Sequence, residues 1–170
     1  YSRDALATQV VVKRYIKSLL DVFEQCEDLE SIEDLHLLVR IFMDLILLNV
    51  PCVVDELTEE DNILKVIGVF EYDPTQSEVR KHREFLTTQA KLVEAVPLPP
   101  AMVDKVHLNF RLQYLRDHVL MRQADDTAYT TINSCVYFTE MEIINVLSAD
   151  DPFLDSLFAP LNGPSVTPEV

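Results

Sequence analysis

From Leu35 to Leu48 nearly every position is apolar, and the exceptions His36, Arg40 and Asp44 recur every fourth residue. Residues four apart share one line along an α-helix, so the pattern predicts a helix buried on most of its sides. Ser31 stands where an N-cap belongs, with Asp34 three positions on, a pairing that suits free amides and the helix dipole. A helix apolar almost all round needs neighbours on at least two flanks. Stacked helices are therefore favoured over an isolated amphipathic arm.

The same periodicity organises the rest of the chain. Ser2 would cap a first helix to about Val12, and Tyr15 to Cys26 reads as a second, with Ile16, Leu19, Leu20, Phe23 and Cys26 on one face. Pro51 opens a short segment, and Thr58-Glu59-Glu60-Asp61 repeats the cap-and-acid signal ahead of Ile63, Leu64, Ile67 and Phe70. Tyr72-Asp73-Pro74 ends that helix, and Ser77-Glu78 would begin another running through Phe85 and Leu86 towards Leu92. The proline-dense corner from Val96 to Pro100 opens a helix from Ala101 to about Leu120. Its two apolar stripes, Val103, Val106, Phe110 and Tyr114 beside Leu108, Leu112, Leu115 and Val119, predict that it is sandwiched. Thr130 to Phe138 has the β-branched content of a strand, but Ile132, Cys135 and Val136 keep helical spacing, and a helix is expected. Thr139-Glu140-Met141-Glu142 reads as a further capping box before Ile143, Ile144 and Leu147, and Phe153, Leu154, Leu157 and Phe158 form a last apolar face. The expected division is a helical domain over 1–159 and a mobile, Pro-rich tail over 160–170.

An internal repeat sharpens the fold class. Tyr15 to Glu24 aligns without gaps on Asn62 to Glu71, with four identities in ten and an offset of 47 residues. Ile143 to Leu147 resembles the same helix 80 residues further on. Such spacings fit the period of about 40–47 residues of armadillo or HEAT arrays, so the expectation is an all-α solenoid of two to three repeats.

Composition narrows the function classes. Fourteen basic against twenty-nine acidic residues give a net charge of −15, which repels phosphate backbones and makes nucleic acid an unsuitable direct ligand. The longest uncharged apolar-rich run, Leu45 to Val54, is ten residues and contains Pro51, too short to span a membrane. The chain begins at Tyr1 with neither an initiator Met nor an apolar leader, which reads as a piece of a larger protein. Cys26, Cys52 and Cys135 are odd in number and far apart in apolar company, so free buried thiols in a reducing compartment are expected. The two glycines, Gly68 and Gly163, leave no Gly-rich phosphate loop.

No catalytic or metal site is legible. His36, His82, His107 and His118 lack metal-ligand spacing, no cysteine pair offers a zinc knuckle, and the acidic clusters fall at helix ends where water and the dipole suit them. No cofactor is expected. The concentrated positive patch is Arg80-Lys81-His82-Arg83, placed just inside a helix, and Arg111 and Tyr114 lie on the long helix that follows. These six residues are the candidate partner-binding set, suited to an acidic or phosphorylated peptide because Arg pairs bidentately with either group. The competing reading is that Arg83 pairs with Glu71 or Asp73 and locks one repeat against the next.

Several stretches carry a family resemblance: Tyr15-Ile16-Lys17 through Cys26-Glu27-Asp28-Leu29-Glu30, Leu35-His36 through Leu47-Leu48-Asn49, Val66-Ile67-Gly68 with Glu71-Tyr72-Asp73-Pro74, His82-Arg83-Glu84-Phe85-Leu86, and Gln113-Tyr114. In this order they resemble the central domain of the regulatory subunit 3 family of protein phosphatase 4, also called SMEK or Falafel; Met121 to Phe158 is similar only loosely. The resemblance implies a non-catalytic, armadillo-like targeting domain that in the family follows an EVH1-like domain. It also implies catalytic and scaffold subunits as partners, substrates in DNA repair, mitosis and signalling, and residence in nucleus and cytoplasm. The alternatives are a purely structural spacer and an enzyme of unrecognised chemistry.

Overall fold

Nine helices follow one another among the described residues of the computed structural model, which are 2–76, 80–120 and 126–159. They are α1 (Arg3–Val12), α2 (Tyr15–Asp28), α3 (Ile32–Leu47), α4 (Pro51–Thr58), α5 (Glu60–Val69) and the short α6 (His82–Glu84), which continues as a π-turn over Phe85–Gln89. Then come α7 (Pro100–Tyr114), continued by a π-turn over Leu115–Val119, α8 (Asp126–Ser148) and α9 (Asp151–Phe158). No strand occurs among the described residues, and none of their helices is long and apolar enough to cross a membrane.

The first three corners each turn on a left-handed residue, Arg14 (φ 53°), Glu30 (φ 52°) and Asn49 (φ 48°). That region costs a side-chain-bearing residue roughly 1–2 kcal/mol, and no glycine stands at these corners to avoid it. Each corner amide returns to the helix it leaves, onto the carbonyls of Val11, Glu27 and Ile46 at 2.9, 3.1 and 3.0 Å. Asn49 gains a second tie, because the Thr131 hydroxyl donates to its side-chain oxygen at 2.6 Å and anchors the end of α3 to α8.

Packing follows the repeat. α1 lies on α4 and α2 on α5, the like-on-like contacts that a 47-residue offset demands of a helical stack. α3 sits between them and touches α2, α4, α5 and α8, while α7 lies along α8 and against α5. One hydrophobic core runs from Ala7 to Val136, with Phe23, Phe42, Phe70, Ile63, Leu112 and Leu115 at its centre. The result is an all-α architecture of the armadillo or HEAT-like kind.

Several sequence expectations are corrected. α3 buries Leu35, Leu38, Val39, Phe42, Leu45 and Ile46 on one broad face, but Leu37 is 50% exposed, so the helix is not enclosed on most sides. The Ser31 hydroxyl does not accept a backbone amide; it donates to Asp34 at 2.7 Å. Thr58 and Thr139 are not caps, because both lie inside helices and donate back to the carbonyls of Val54 and Cys135. Thr139 therefore sits within one 23-residue α8, and no break precedes Ile143. Ile144 and Val146 are exposed where their counterparts 80 residues earlier, Leu64 and Val66, are half-buried and buried, so this stretch is not packed like the α5 copy. The helix expected to run to Leu92 ends at Gln89, and its expected start at Ser77-Glu78 lies outside the described residues, as does the tail from Pro160. α7 is sandwiched on the Leu112, Leu115 and Val119 stripe only; Phe110, on the other, is 45% exposed. The α9 residues Leu157 and Phe158 are also exposed. All three cysteines are free, but only Cys26 is buried, and Cys52 is exposed.

Candidate protein-interaction site

Arg83 leaves α6 on one side and is held there. Its guanidinium donates through Nη1 and Nη2 to the two carboxylate oxygens of Glu27 at 2.9 and 2.5 Å, and through Nε to Glu71 at 2.8 Å. The Arg83 amide donates to the other Glu71 oxygen at 2.6 Å, and the Tyr72 hydroxyl to Glu27 at 2.8 Å. The guanidinium also lies over the Phe23 ring, 5.4 Å from its centroid. Burial alone would raise the Glu27 pKa, but the hydrogen bonds from Arg83 and Tyr72 outweigh it and hold the carboxyl below its ordinary range. The cluster ties α2, the end of α5 and α6 together.

Gly68 makes this approach feasible. A Cβ there would stand 2.6 Å from Cδ and Nε of Arg83, an overlap that a side chain fixed by two carboxylates cannot sidestep. Gly68→Ala should gain about 1 kcal/mol of helix propensity and lose more through the displaced guanidinium, for a net destabilisation of about 1–2 kcal/mol. In an Arg83→Ala background the same change should turn neutral or stabilising. Urea denaturation of the four chains of this double-mutant cycle measures the coupling, and additive effects would contradict the close approach.

His82 faces the other way. Its Nδ1 lies 2.9 Å from the Tyr114 hydroxyl, its Nε2 is buried without a partner among the described residues, and the ring is 3% exposed. Burial lowers its pKa; Glu71 opposes the shift, while Arg80 and His118 reinforce it. A histidine held neutral by folding contributes stability that is complete above its unfolded pKa of about 6.5 and is lost as pH falls from there through the folded value. The melting temperature should therefore drop between pH 7 and pH 5, and His82→Gln should flatten that part of the profile. An unchanged slope in the variant would contradict it.

Beyond His82 the surface opens into a cleft. Tyr114 stacks on Phe85 with centroids 5.4 Å apart and meets the His118 ring at 4.9 Å. One side of Phe110 borders a hollow of about 440 Å³ shared with Phe85, Tyr114 and His118. Its other side borders a larger one of about 570 Å³ between α7, the π-turn after α6 and residues 90–93. Leu64, Leu86, Leu92, Val106 and Phe110 supply the apolar wall there, and Lys91 and Arg111 the cations, with the His107 ring beside them. Neither Lys91 nor Arg111 forms an ion pair among the described residues.

The six residues singled out from sequence thus divide. Arg83 and His82 are committed inward, and Lys81, on the chain just before α6 rather than within it, pairs with Glu84 in the open at 3.0 Å. Arg80 is exposed, and its charge is felt at both His82 and Tyr114. Tyr114 and Arg111 line the two hollows one helical turn apart. The Arg83–Glu71 pair was legible as a local option; Glu27, 56 residues away, carried no sequence signal. Lys91 and Leu92 also went unread as site residues, because an irregular segment has no periodicity to assign its face, and Phe110, on α7, was read as part of a stripe expected in the core. Gly68 did offer a signal, being a glycine inside an apolar helical pattern. Among the described residues no three His, Cys, Asp or Glu side chains group to hold a metal ion.

Stacked helices flanked by a part-basic apolar cleft place the chain in the class of helical-repeat proteins. The family model for Phosphatase 4 regulatory subunit 3 matches residues 1–169, and the chain belongs to that family, one of regulatory rather than catalytic subunits. It is 35% identical over 167 residues to a Drosophila melanogaster protein named serine/threonine-protein phosphatase 4 regulatory subunit 3, covering 96% of this chain and 17% of that one. An uncharacterized protein of Schizosaccharomyces pombe is 36% identical over 161 residues, with 93% and 19% covered. Suppressor of Mek1 of Dictyostelium discoideum is 34% identical over 161 residues, with 92% and 15% covered. The chain thus spans less than a fifth of the length of these relatives. No solved structure matches it.

Proposed function

We propose that the chain is a non-catalytic recruiting module of a protein phosphatase 4 regulatory subunit. It joins partner or substrate segments to an assembly with the catalytic and scaffold subunits, in nucleus and cytoplasm and in processes that include DNA repair. Membership of the regulatory subunit 3 family supports this reading, and the open cleft along α7 is the observation that carries it. The partner segment is extended and acidic or phosphorylated, and it meets the basic side formed by the exposed Arg80 and Lys81 and the half-buried Arg111 beside Tyr114, while Arg83 and His82 brace the helix beneath.

Binding of a phosphorylated acidic peptide to the purified chain tests the reading. Screening shortens from about 10 Å at 0.1 M salt to about 3 Å at 1 M, so affinity should fall steeply across that range. Arg80→Glu with Lys81→Glu should weaken it at least tenfold without altering the melt. Equal affinity and equal salt dependence would overturn the charged site. The same preparation should release no phosphate from the peptide, and turnover would return the chain to the enzymes.

A further inference from the structure

We infer that the larger cleft beside α7 is a built subsite for a short peptide segment bearing one large apolar or aromatic anchor with an acidic residue within a few positions of it. The inference rests on the recruiting-module reading and adds what the recruited segment must look like. About 570 Å³ is within the range of small-ligand pockets and accommodates a bulky side chain with its neighbours. The floor and walls are Leu64, Leu86 and Val106, and Phe110 is 45% exposed at the rim, a large ring held out of the core that α7 otherwise helps to fill. Val106, Phe110 and Tyr114 succeed one another every fourth residue, so the lining continues for about 12 Å along the helix at 1.5 Å per residue, the reach of a three- to four-residue extended segment.

Charge chooses the occupant. In a chain of net charge −15, Lys91 and Arg111 stand at this cleft without an acidic partner among the described residues, with His107 beside them. Within the run Arg80–Arg83, by contrast, Arg83 is neutralised by two carboxylates and Lys81 pairs with Glu84, which leaves Arg80, whereas the apolar opening holds two cations without an acidic partner among the described residues. A purely apolar segment would leave those two cations unanswered, and a basic one would be repelled. A carboxylate next to the anchor meets Arg111 bidentately while the anchor fills the space under Phe110.

Panning a random dodecapeptide display library on the chain, counter-selected on a Phe110→Glu/Arg111→Glu variant that melts like the parent, tests this. The expected outcome is enrichment of peptides with Phe, Trp, Leu or Met within about four residues of Asp or Glu. Synthetic copies should lose at least tenfold in affinity when either the anchor or the acid is replaced by Ser. Lys91→Glu, on a segment outside any helix, should weaken them similarly, which keeps the test independent of the folding of the double variant. No enrichment, enrichment of basic or wholly apolar peptides, or affinities equal on parent and variants would overturn the inference. Co-assembly with the phosphatase subunits is measured in parallel. Peptides that bind a chain unable to join the phosphatase would sink the recruiting reading alone, and a chain that assembles yet selects nothing would sink the subsite alone.

Discussion

Arg83→Ala is expected to cost about 2–4 kcal/mol and to lower the melting temperature by roughly 5–15 °C. Removing the cation leaves Glu71, only 8% exposed, and Glu27, with 21% of its side chain exposed, as two uncompensated carboxylates across the junction of α2, α5 and α6. Breaking one partner of a fully buried pair costs about 3–5 kcal/mol; the expected value is lower because 31% of the Arg83 side chain still meets solvent. Arg83→Lys should recover only part of the loss, since an ammonium cannot make the Glu27 fork and the Glu71 bond together. Acid should erode the same cluster: a Glu27 carboxyl held below its usual range contributes stability that is present above its unfolded pKa and lost as pH falls through the folded one. Denaturant melts of wild type, Arg83→Ala and Arg83→Lys check the ranking, and an Arg83→Ala chain as stable as wild type would show the cluster to be ornamental.

Phe42→Ala should cost about 3–5 kcal/mol, for a different reason. Its ring is fully buried in α3, the helix that touches α2, α4, α5 and α8, so few neighbours can move in to fill the cavity. Leu45→Ala, one turn on at 8% exposure, should lose about 2–5 kcal/mol, with the smaller end expected because solvent already reaches its edge. Leu37→Ala, on the exposed face of the same helix, should change stability by less than about 1 kcal/mol. Three similar losses across these positions would mean that α3 is enclosed on most of its sides, as its sequence alone suggested.

That contrast shows where the chain was legible. The helices α1 to α3, α5 and α7 follow from apolar spacing, because burial of one stripe is what periodicity encodes, and the 47-residue offset aligned α2 with α5, which lie in contact; α4 was legible only as a short segment opened by Pro51. The capping signals at Thr58 and Thr139 misled because a Thr hydroxyl can satisfy itself on the carbonyl four residues back inside a helix as readily as it can cap one. The basic run read as one patch and proved to be two structures, since a sequence does not tell which side of a short helix each neighbour leaves. Arg83 turns towards Gly68 and Glu27, His82 towards Tyr114. The cleft was half legible: Arg111 and Tyr114 were chosen for charge and helical position, while its other wall comes from the irregular residues 90–93.

The most direct test of the recruiting role uses phosphatase assembled from catalytic subunit, scaffold subunit and the regulatory subunit carrying this chain. Its turnover is measured on a phosphoprotein displaying a cleft-selected peptide and on p-nitrophenyl phosphate. A module that recruits without doing chemistry predicts that Lys91→Glu/Arg111→Glu lowers kcat/KM for the tethered phosphoprotein about tenfold or more and leaves hydrolysis of the small ester unchanged. Equal loss on both substrates, or no loss on either, would contradict it.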